Sequence, residues 1–400
     1  MKENCCALII GGYVNGYSII QELFENGVRD IVLFSSVKQP GSKSNKIKKF
    51  VLIDLSPDSL LKELQILSRD YDFIVPFPTD DLQLENLHAI RNKISHFCYI
   101  PFNKANFTEC LNKYTQYIYC DILGVPRPKT IEIRTVEDIE TITEIRYPVI
   151  IKPTTRFDEK INIFRTLHVQ NEQDLTNNKE TLKYFILHGI SFIASEVIPG
   201  DCSNIYVYVG YRNDAGQIVN EWTGKKLSQY PYDFGVFSSA SNQAPEEILR
   251  QGRILFNGMN IKGIAESEFK YDPRDKKFKL MEINFRSTMW NRVGNLSGVK
   301  IQYTQYIDAI GGEVPSCRQD KTKDIHFVYL KHEIFNLITR NGYFPIFYKN
   351  IFTGDTTHFA FFDIHDPKPF LLNFSDILKD IPGLFLKRLK FCLNIKNIFI

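Results

Sequence analysis

The sequence predicts a mixed chain: an α/β region built on an N-terminal parallel sheet, then a larger α+β region with mainly antiparallel strands. Three observations predict it. Strands and helices alternate one for one to about residue 103, longer strands then succeed one another, and an alternating hairpin closes the α+β region at 263–286. A length of 400 residues suggests two or three domains, and 44 % hydrophobic with 24 % charged residues is ordinary for a globular protein.

The first region opens with CALIIGG, a buried strand and turn, followed by a helix over 16–26, the strand DIVLFSS, a helix over 56–68, the strand DFIVPFP and a helix over 82–94. Gly11, Gly12 and Gly16 form a Gly-Gly-x-x-x-Gly turn whose spacing departs from a dinucleotide fingerprint. No acidic residue closes the next strand, which ends in Ser35 and Ser36, so a nicotinamide site is a weak reading. The turn suits a substrate's anionic group at the helix N-terminus, with Thr79, Asp80 and Asp81 at a neighbouring strand end, and plain turn glycines explain it equally well.

A helical pattern over 106–121 stops at Gly124, Pro126 and Pro128. Then come a short helix over 136–144, the buried strand YPVIIKP, a helix over 174–188, and the strand ISFIASEVIPG. IYVYVGY and QIVNEW read as further strands, followed by a loop to Ala244, a helix over 245–257 and the hairpin. From about 316 onward YFPIFY and THFAFFDI read as strands, and 376–400 as a basic amphipathic tail that either packs on a core or lies on an anionic membrane surface.

A net charge of +3 with interspersed signs excludes a nucleic-acid footprint. Eight cysteines without a CxxC pair argue against a zinc finger or a disulfide framework, and a reducing cytoplasm is the expected compartment. The apolar run at 5–10 is too short for a signal peptide, and no stretch approaches the ~20 apolar residues that cross a bilayer.

The chemistry concentrates in KLMEINFR, residues 279–286. Strand alternation sends Met281, Ile283 and Phe285 to a core and Glu282, Asn284 and Arg286 to the other face. In a hairpin with GIAESEFKYD, closed by a loop over 273–277, Glu268 falls opposite Glu282. Facing like charges are destabilising unless a cation lies between them, and hard oxygen ligands favour magnesium over zinc. Lys152 ends a buried strand and needs an anionic partner, a phosphate or else solvent. Glu196, Val197 and Ile198 run into Pro199, Gly200 and Asp201, an apolar hinge flanked by carboxylates where a nucleobase and its ribose could rest. Lys225 and Lys226 lie in TGKKLSQYP, where they bind phosphate or carboxylate, or sit in a solvated loop; Arg292 offers a bidentate grip on a substrate carboxylate or a structural helix start.

A lysine before LGVPRPKT, a second in YPVIIKP, the EVIPGD hinge and an acidic pair ending in ExNxR resemble the ATP-grasp superfamily over about residues 5–315. MEINFRSTMWNRVGNLSGV and TGKKLSQYPYDFG look most like its D-aspartate ligase-like carboxylate–amine ligases. The resemblance implies a Rossmann-like, pre-ATP-grasp domain over 1–105, an ATP-grasp domain of two α+β subdomains over 106–315, and a C-terminal α+β extension over 316–400. It implies Lys113 and Lys152 on nucleotide phosphates, Glu196, Val197 and Ile198 at adenine, and Asp201 at ribose. Glu268, Glu282 and Asn284 would hold magnesium, with manganese an alternative, and Arg286 would lie near the reacting carboxyl phosphate. Lys226 and Arg292 are the substrate candidates. The family's glycine-rich flap corresponds to TTRFDEKINIFR, which has no glycine; Arg156, Lys160 or Arg165 are the cations able to substitute there.

The expected activity is ATP-dependent amide formation through an acyl phosphate, joining a small amino acid to a cell-wall or surface-glycan precursor as the amine acceptor. A dipeptide-forming ligase, a nucleotide binder without turnover, and a regulatory or sugar-transfer protein on the first sheet are the rivals. A homodimer and a peripheral membrane contact through the tail are left open.

Overall fold

The structure is a computed structural model that describes residues 1–54, 56–154, 163–233 and 235–392, without the side chains of Lys387 and of 389–392. Strands Lys49–Leu52, Ile31–Ser35, Cys5–Ile10 and Phe73–Pro78 form a parallel sheet in that spatial order. The sequence reading missed Lys49–Leu52, a four-residue edge strand with a largely solvated face. Helices Pro57–Leu67 and Asp81–Ile94 start where Ser56 and Asp80 accept backbone N–H groups of Ser59 and Gln83, which satisfies donors that a helix start leaves unpaired. Gly16 is required by close packing, because a Cβ there would lie 1.8 Å from the Gly11 carbonyl oxygen.

A second sheet orders Thr130–Ile133, Phe192–Glu196, Val149–Pro153 and Leu167–Val169, all antiparallel, and shares a core with helix Glu172–Leu187. The third sheet has seven strands in the order Lys277–Asn284, Gly263–Asp272, Ile205–Arg212, Ile218–Tyr230, Val236–Ser241, Ile325–Val328 and Thr356–Phe359. One apolar cluster joins Ile10, Leu84 and Leu87 of the first region to Phe269, Leu280 and Ile283 of the hairpin. The parallel sheet and the hairpin are thereby held in register with each other.

Several expectations are corrected. The helix over 106–121 is two helices, Phe107–Leu111 and Lys113–Leu123, because the Asn112 side chain caps the second through the N–H groups of Tyr114 and Thr115. The presumed loop after QIVNEW is strand: Ile218–Tyr230 runs on through TGKKLSQY, and Val236–Ser241 pairs back onto it. YFPIFY lies in helix Phe344–Phe352, where Pro345 occupies the first turn and needs no N–H. THFAFFDI contributes only Thr356–Phe359, beyond which Phe361 turns with φ +66°. The tail is helical over Pro367–Cys392, with Ile377 and Leu384 packed near Phe335, and the remainder, 393–400, lies outside the described residues.

Helix Val14–Glu25 docks on the hairpin side of the molecule through a buried carboxyl. Glu22, 2 % exposed, accepts the backbone N–H groups of Gln302 at 2.7 Å and Tyr303 at 3.0 Å at the start of helix Ile301–Ala309. Burial pushes its carboxyl up to about 7, against the N–H of Tyr303, the Arg292 charge and the N–H of Gln302. A raised folded value means the native state keeps a proton that the unfolded chain releases. Stability therefore falls as pH rises from the ordinary 4.5 to about 7. Glu22→Gln keeps an accepting oxygen and removes the titration. Urea melts of the variant should lose less stability across that window than the wild type, by on the order of 3 kcal/mol; parallel pH profiles would contradict the assignment.

Candidate functional site

The hairpin sets Glu268 directly opposite Glu282 and Glu266 opposite Asn284, as the alternation predicts for the first pair. The register slips beyond Glu268, which faces Glu282 while Phe269 faces Leu280, leaving Met281 as an extra residue. That bulge corrects the expected core set. Leu280 joins Ile283 and Phe285 inside, whereas Met281, Glu282, Asn284 and Arg286 are half-buried.

Helix Lys113–Leu123 lies along the free edge of this strand. Gln116 accepts the Ile283 N–H at 2.9 Å, the Tyr117 hydroxyl donates to the Met281 carbonyl at 2.8 Å, and the Leu280 N–H donates to the Pro126 carbonyl at 2.8 Å. These bonds satisfy an edge that would otherwise be unpaired, and they bring Lys113, the first residue of the helix, to the acids. The Lys113 N–H donates to the Thr154 carbonyl at 3.1 Å, two residues after Lys152. Both lysines thus converge on Glu282. Burial alone would raise the Glu282 carboxyl, but the Lys152 and Lys113 ammonium groups, helped by Arg165 and opposed by Asp81, hold it below its ordinary value. Arg156 and Lys160 lie outside the described residues.

Arg286 forms a two-point ion pair with Asp81, Nε to Oδ1 at 2.7 Å and Nη2 to Oδ2 at 3.2 Å, and lies 3.4 Å from the Asn284 Oδ1 through Nη2. Burial opposes its charge, and the Asp81 carboxylate more than restores it. Asp80 and Asp81 are therefore a helix cap and an arginine partner, which corrects the reading that grouped them with an anion-binding turn. Lys226, on a strand rather than in a loop, is 5 % exposed and donates to Glu268 Oε2 at 3.2 Å. One end of the acid pair is thus already neutralised by the protein. Glu266, 1 % exposed, accepts the Thr288 hydroxyl at 2.5 Å; burial pushes its carboxyl up to about 8, against that bond and with the Glu268 charge adding to the rise.

The hinge is placed between the second and third sheets. Glu196 accepts the Lys129 N–H at 3.0 Å and meets Arg274 at 2.9 Å and Lys279 at 3.4 Å, two cations that also hold the buried Asp272. Val197 donates its N–H to the Pro148 carbonyl at 3.0 Å, Ile198 is buried, and the exposed Asp201 caps the turn at Ser203. Arg292 is corrected outright as a substrate grip: both of its Nη atoms are held by Glu25, Nη1 at 2.8 Å and Nη2 at 2.5 Å, and it ties helix Val14–Glu25 to the segment after the hairpin.

The structure thus gathers Lys113, Lys152, Glu268, Glu282, Asn284, Arg286 and Lys226 at one face, and leaves Arg292 to a structural contact. Among the described residues no three acidic, His or Cys side chains form a metal cluster. Two carboxylates and an amide oxygen nevertheless match a magnesium ion that takes its other ligands from phosphates and water. Sequence reasoning missed Glu266, although its spacing two before Glu268 placed it on the same face, and it missed Gln116, for which edge pairing leaves no local signal.

No family model matches the chain. Its sequence is similar to a D-aspartate ligase of Enterococcus faecium (strain Aus0004), 25 % identical over 225 residues that make up 53 % of this chain and 52 % of that protein, so the match spans about half the length of the relative. Its structure is similar to an ADP complex of an N5-carboxyaminoimidazole ribonucleotide synthetase, with TM-score 0.63, 14 % identity, and 84 % of this chain and 85 % of that chain covered. It is also similar to an L-amino acid ligase from Bacillus licheniformis, with TM-score 0.57, 14 % identity, and coverage of 80 % and 77 %. At such identities the structural likeness speaks for the fold. The chain thus shares the fold of these synthetases and ligases, and over about half its length its sequence is similar to that of a D-aspartate ligase.

Proposed function

We propose that the chain is an ATP-dependent carboxylate–amine ligase. The single observation that carries this reading is the Glu282 carboxylate, opposite Glu268 and beside Asn284, with Lys113 and Lys152 bearing on it. Phosphoryl transfer asks the protein mainly for positioning and charge neutralisation. Lys113 and Lys152 neutralise the nucleotide phosphates, with Arg165 as the described flap cation. Glu196, Val197 and Ile198 border the base, although the Glu196 carboxylate is spent on Arg274 and Lys279. Asp201, exposed at the turn, is the ribose candidate.

Glu268, Glu282 and Asn284 would hold magnesium, or manganese, which supplies charge neutralisation between the phosphates. Arg286, fixed by Asp81, stabilises negative charge on the carboxyl that ATP phosphorylates with release of ADP, and an amine then attacks the acyl phosphate, expelling phosphate and losing a proton to give the amide. Lys226, paired with Glu268, is the candidate to exchange that acid for the activated carboxylate.

The likeness to a D-aspartate ligase supports a small amino acid as carboxylate and a cell-wall or surface-polymer precursor as amine, and the likeness to an L-amino acid ligase supports free amino acids as the second reading. A binder without turnover draws support from Lys226, which already occupies Glu268. We place the protein in the cytoplasm. No helix among the described residues is long and apolar enough to cross a membrane. The helix Pro367–Cys392 leaves Leu371, Leu378 and Phe385 exposed, which supports peripheral contact with a membrane that carries a lipid-linked acceptor.

Glu282→Gln or Arg286→Ala should lower ADP release by on the order of a hundredfold or more, the scale for losing one transition-state charge contact. Near-normal ADP release by either variant, with pooled carboxylates and amines, would refute the assignment. Chelation of divalent ions should abolish ADP release in the wild type, and restoring magnesium should recover it. Release that persists in excess chelator would remove the metal from the mechanism.

A further inference from the structure

The hairpin face that carries the acid pair also carries a second pair of like charges. Lys270 stands directly opposite Lys279, two residues along its strand from Glu268, or about 7 Å at the rise of an extended chain. Facing ammonium groups destabilise a ladder unless each is compensated. Lys279 is compensated by Asp272 at 2.7 Å, Asp275 at 3.0 Å and Glu196 at 3.4 Å. Lys270 is not. Half-buried, it donates from Nζ to the Gly200 carbonyl at 2.7 Å, and among the described residues no carboxylate forms an ion pair with it.

That bond fixes the ammonium at the end of the 196–201 hinge. Phe269 points into the core, so by strand alternation Lys270 shares the face of Glu268, and the charges of Asp201, Lys226 and Glu268 all bear on it. With the β- and γ-phosphates of a nucleotide at the metal acids and its base at residues 196–198, the covalent order of ATP leaves the sugar and α-phosphate in the interval between. Lys270 occupies that interval. An ammonium has three hydrogens to give and the neutral carbonyl takes one, so the group suits an anionic oxygen.

We propose that Lys270 is a nucleotide-binding residue whose ammonium, braced on the Gly200 carbonyl, donates to an α-phosphate oxygen of ATP. The inference rests on the ligase reading and deepens its nucleotide site. It adds a third lysine, one that acts on the phosphate retained by the nucleoside rather than on the one transferred. Lys270 therefore sets the affinity for ATP and leaves the chemical step to Lys113, Lys152 and Arg286.

The full chain with magnesium is loaded with a fluorescent, non-hydrolysable ATP analogue, which is then displaced by AMP or by adenosine; KM and kcat come from ADP release. Lys270→Met keeps a straight stem and removes the charge. It should weaken the analogue tenfold or more, raise the KM for ATP by a similar factor with kcat within twofold, and erase the preference for AMP over adenosine while leaving adenosine unchanged. Lys270→Arg should restore most of that preference. If the Met variant fails to fold, Lys270→Gln carries the same test. Unchanged affinity for the analogue would overturn the proposal, and so would an equal loss for AMP and adenosine, which marks a hinge tie rather than a phosphate contact. Wild-type release of ADP with an unchanged KM for ATP in Lys270→Met keeps the ligase reading and sinks this one. Analogue binding that Lys270→Met abolishes and Lys270→Arg restores, with no ADP from any pair of acid and amine, does the reverse.

Discussion

A carboxylate that is half-buried must be surrounded by positive charge, and Glu282 is where this constraint organises the molecule. Its compensation comes from Lys113 on a helix, Lys152 at the end of a strand in another sheet, and Arg165 beyond that strand. None of these elements could shift far without leaving negative charge uncompensated beside a second acid, Glu268. The hydrogen bonds of Gln116, Tyr117 and Pro126 to the edge strand pin the same geometry mechanically. Charge balance and edge pairing therefore act on one pair of elements.

The N-terminal region is joined to this centre by ion pairs and buried polar contacts as well as by the shared core. Arg286 binds Asp81, Arg292 binds Glu25, and Glu22 caps helix Ile301–Ala309. The two ion pairs and the buried Glu22 cap are costly to desolvate and tolerate little misalignment. Arg286 is set by Asp81, the first residue of the helix that follows strand Phe73–Pro78 of the parallel sheet, which ties the first region to the acidic pair. The C-terminal segment is similarly committed: Asp366, fully buried, accepts the Asn45 N–H at 3.1 Å, and Asp363 pairs with Lys46 at 2.8 Å.

Much of this centre was legible in advance because strand alternation is a local rule. It put Glu268 opposite Glu282 and placed Asn284 and Arg286 on the same side. The bulge at Met281 was not legible, since a single extra residue leaves no mark in the pattern of residue types, and it exchanged Met281 for Leu280 in the core. The same limit explains YFPIFY, whose apolar run fits strand or helix alike until its neighbours decide. It also explains Lys226, where polar residues suggested a loop but a thirteen-residue strand carries the ammonium inside to an acid.

What the sequence determined by itself is the alternation of strand and helix in the first region, the parallel and antiparallel halves, and the residue types that one strand face presents, all consequences of periodicity over a few residues. What only the tertiary structure decided is which charges meet. Arg292 and Arg286 follow the same strand, yet one is occupied by Glu25 and the other is set by Asp81 beside the acids. The physical reason is that a charged side chain is defined by its partner, and these partners lie some two hundred residues or more away in the chain, where no local pattern reaches.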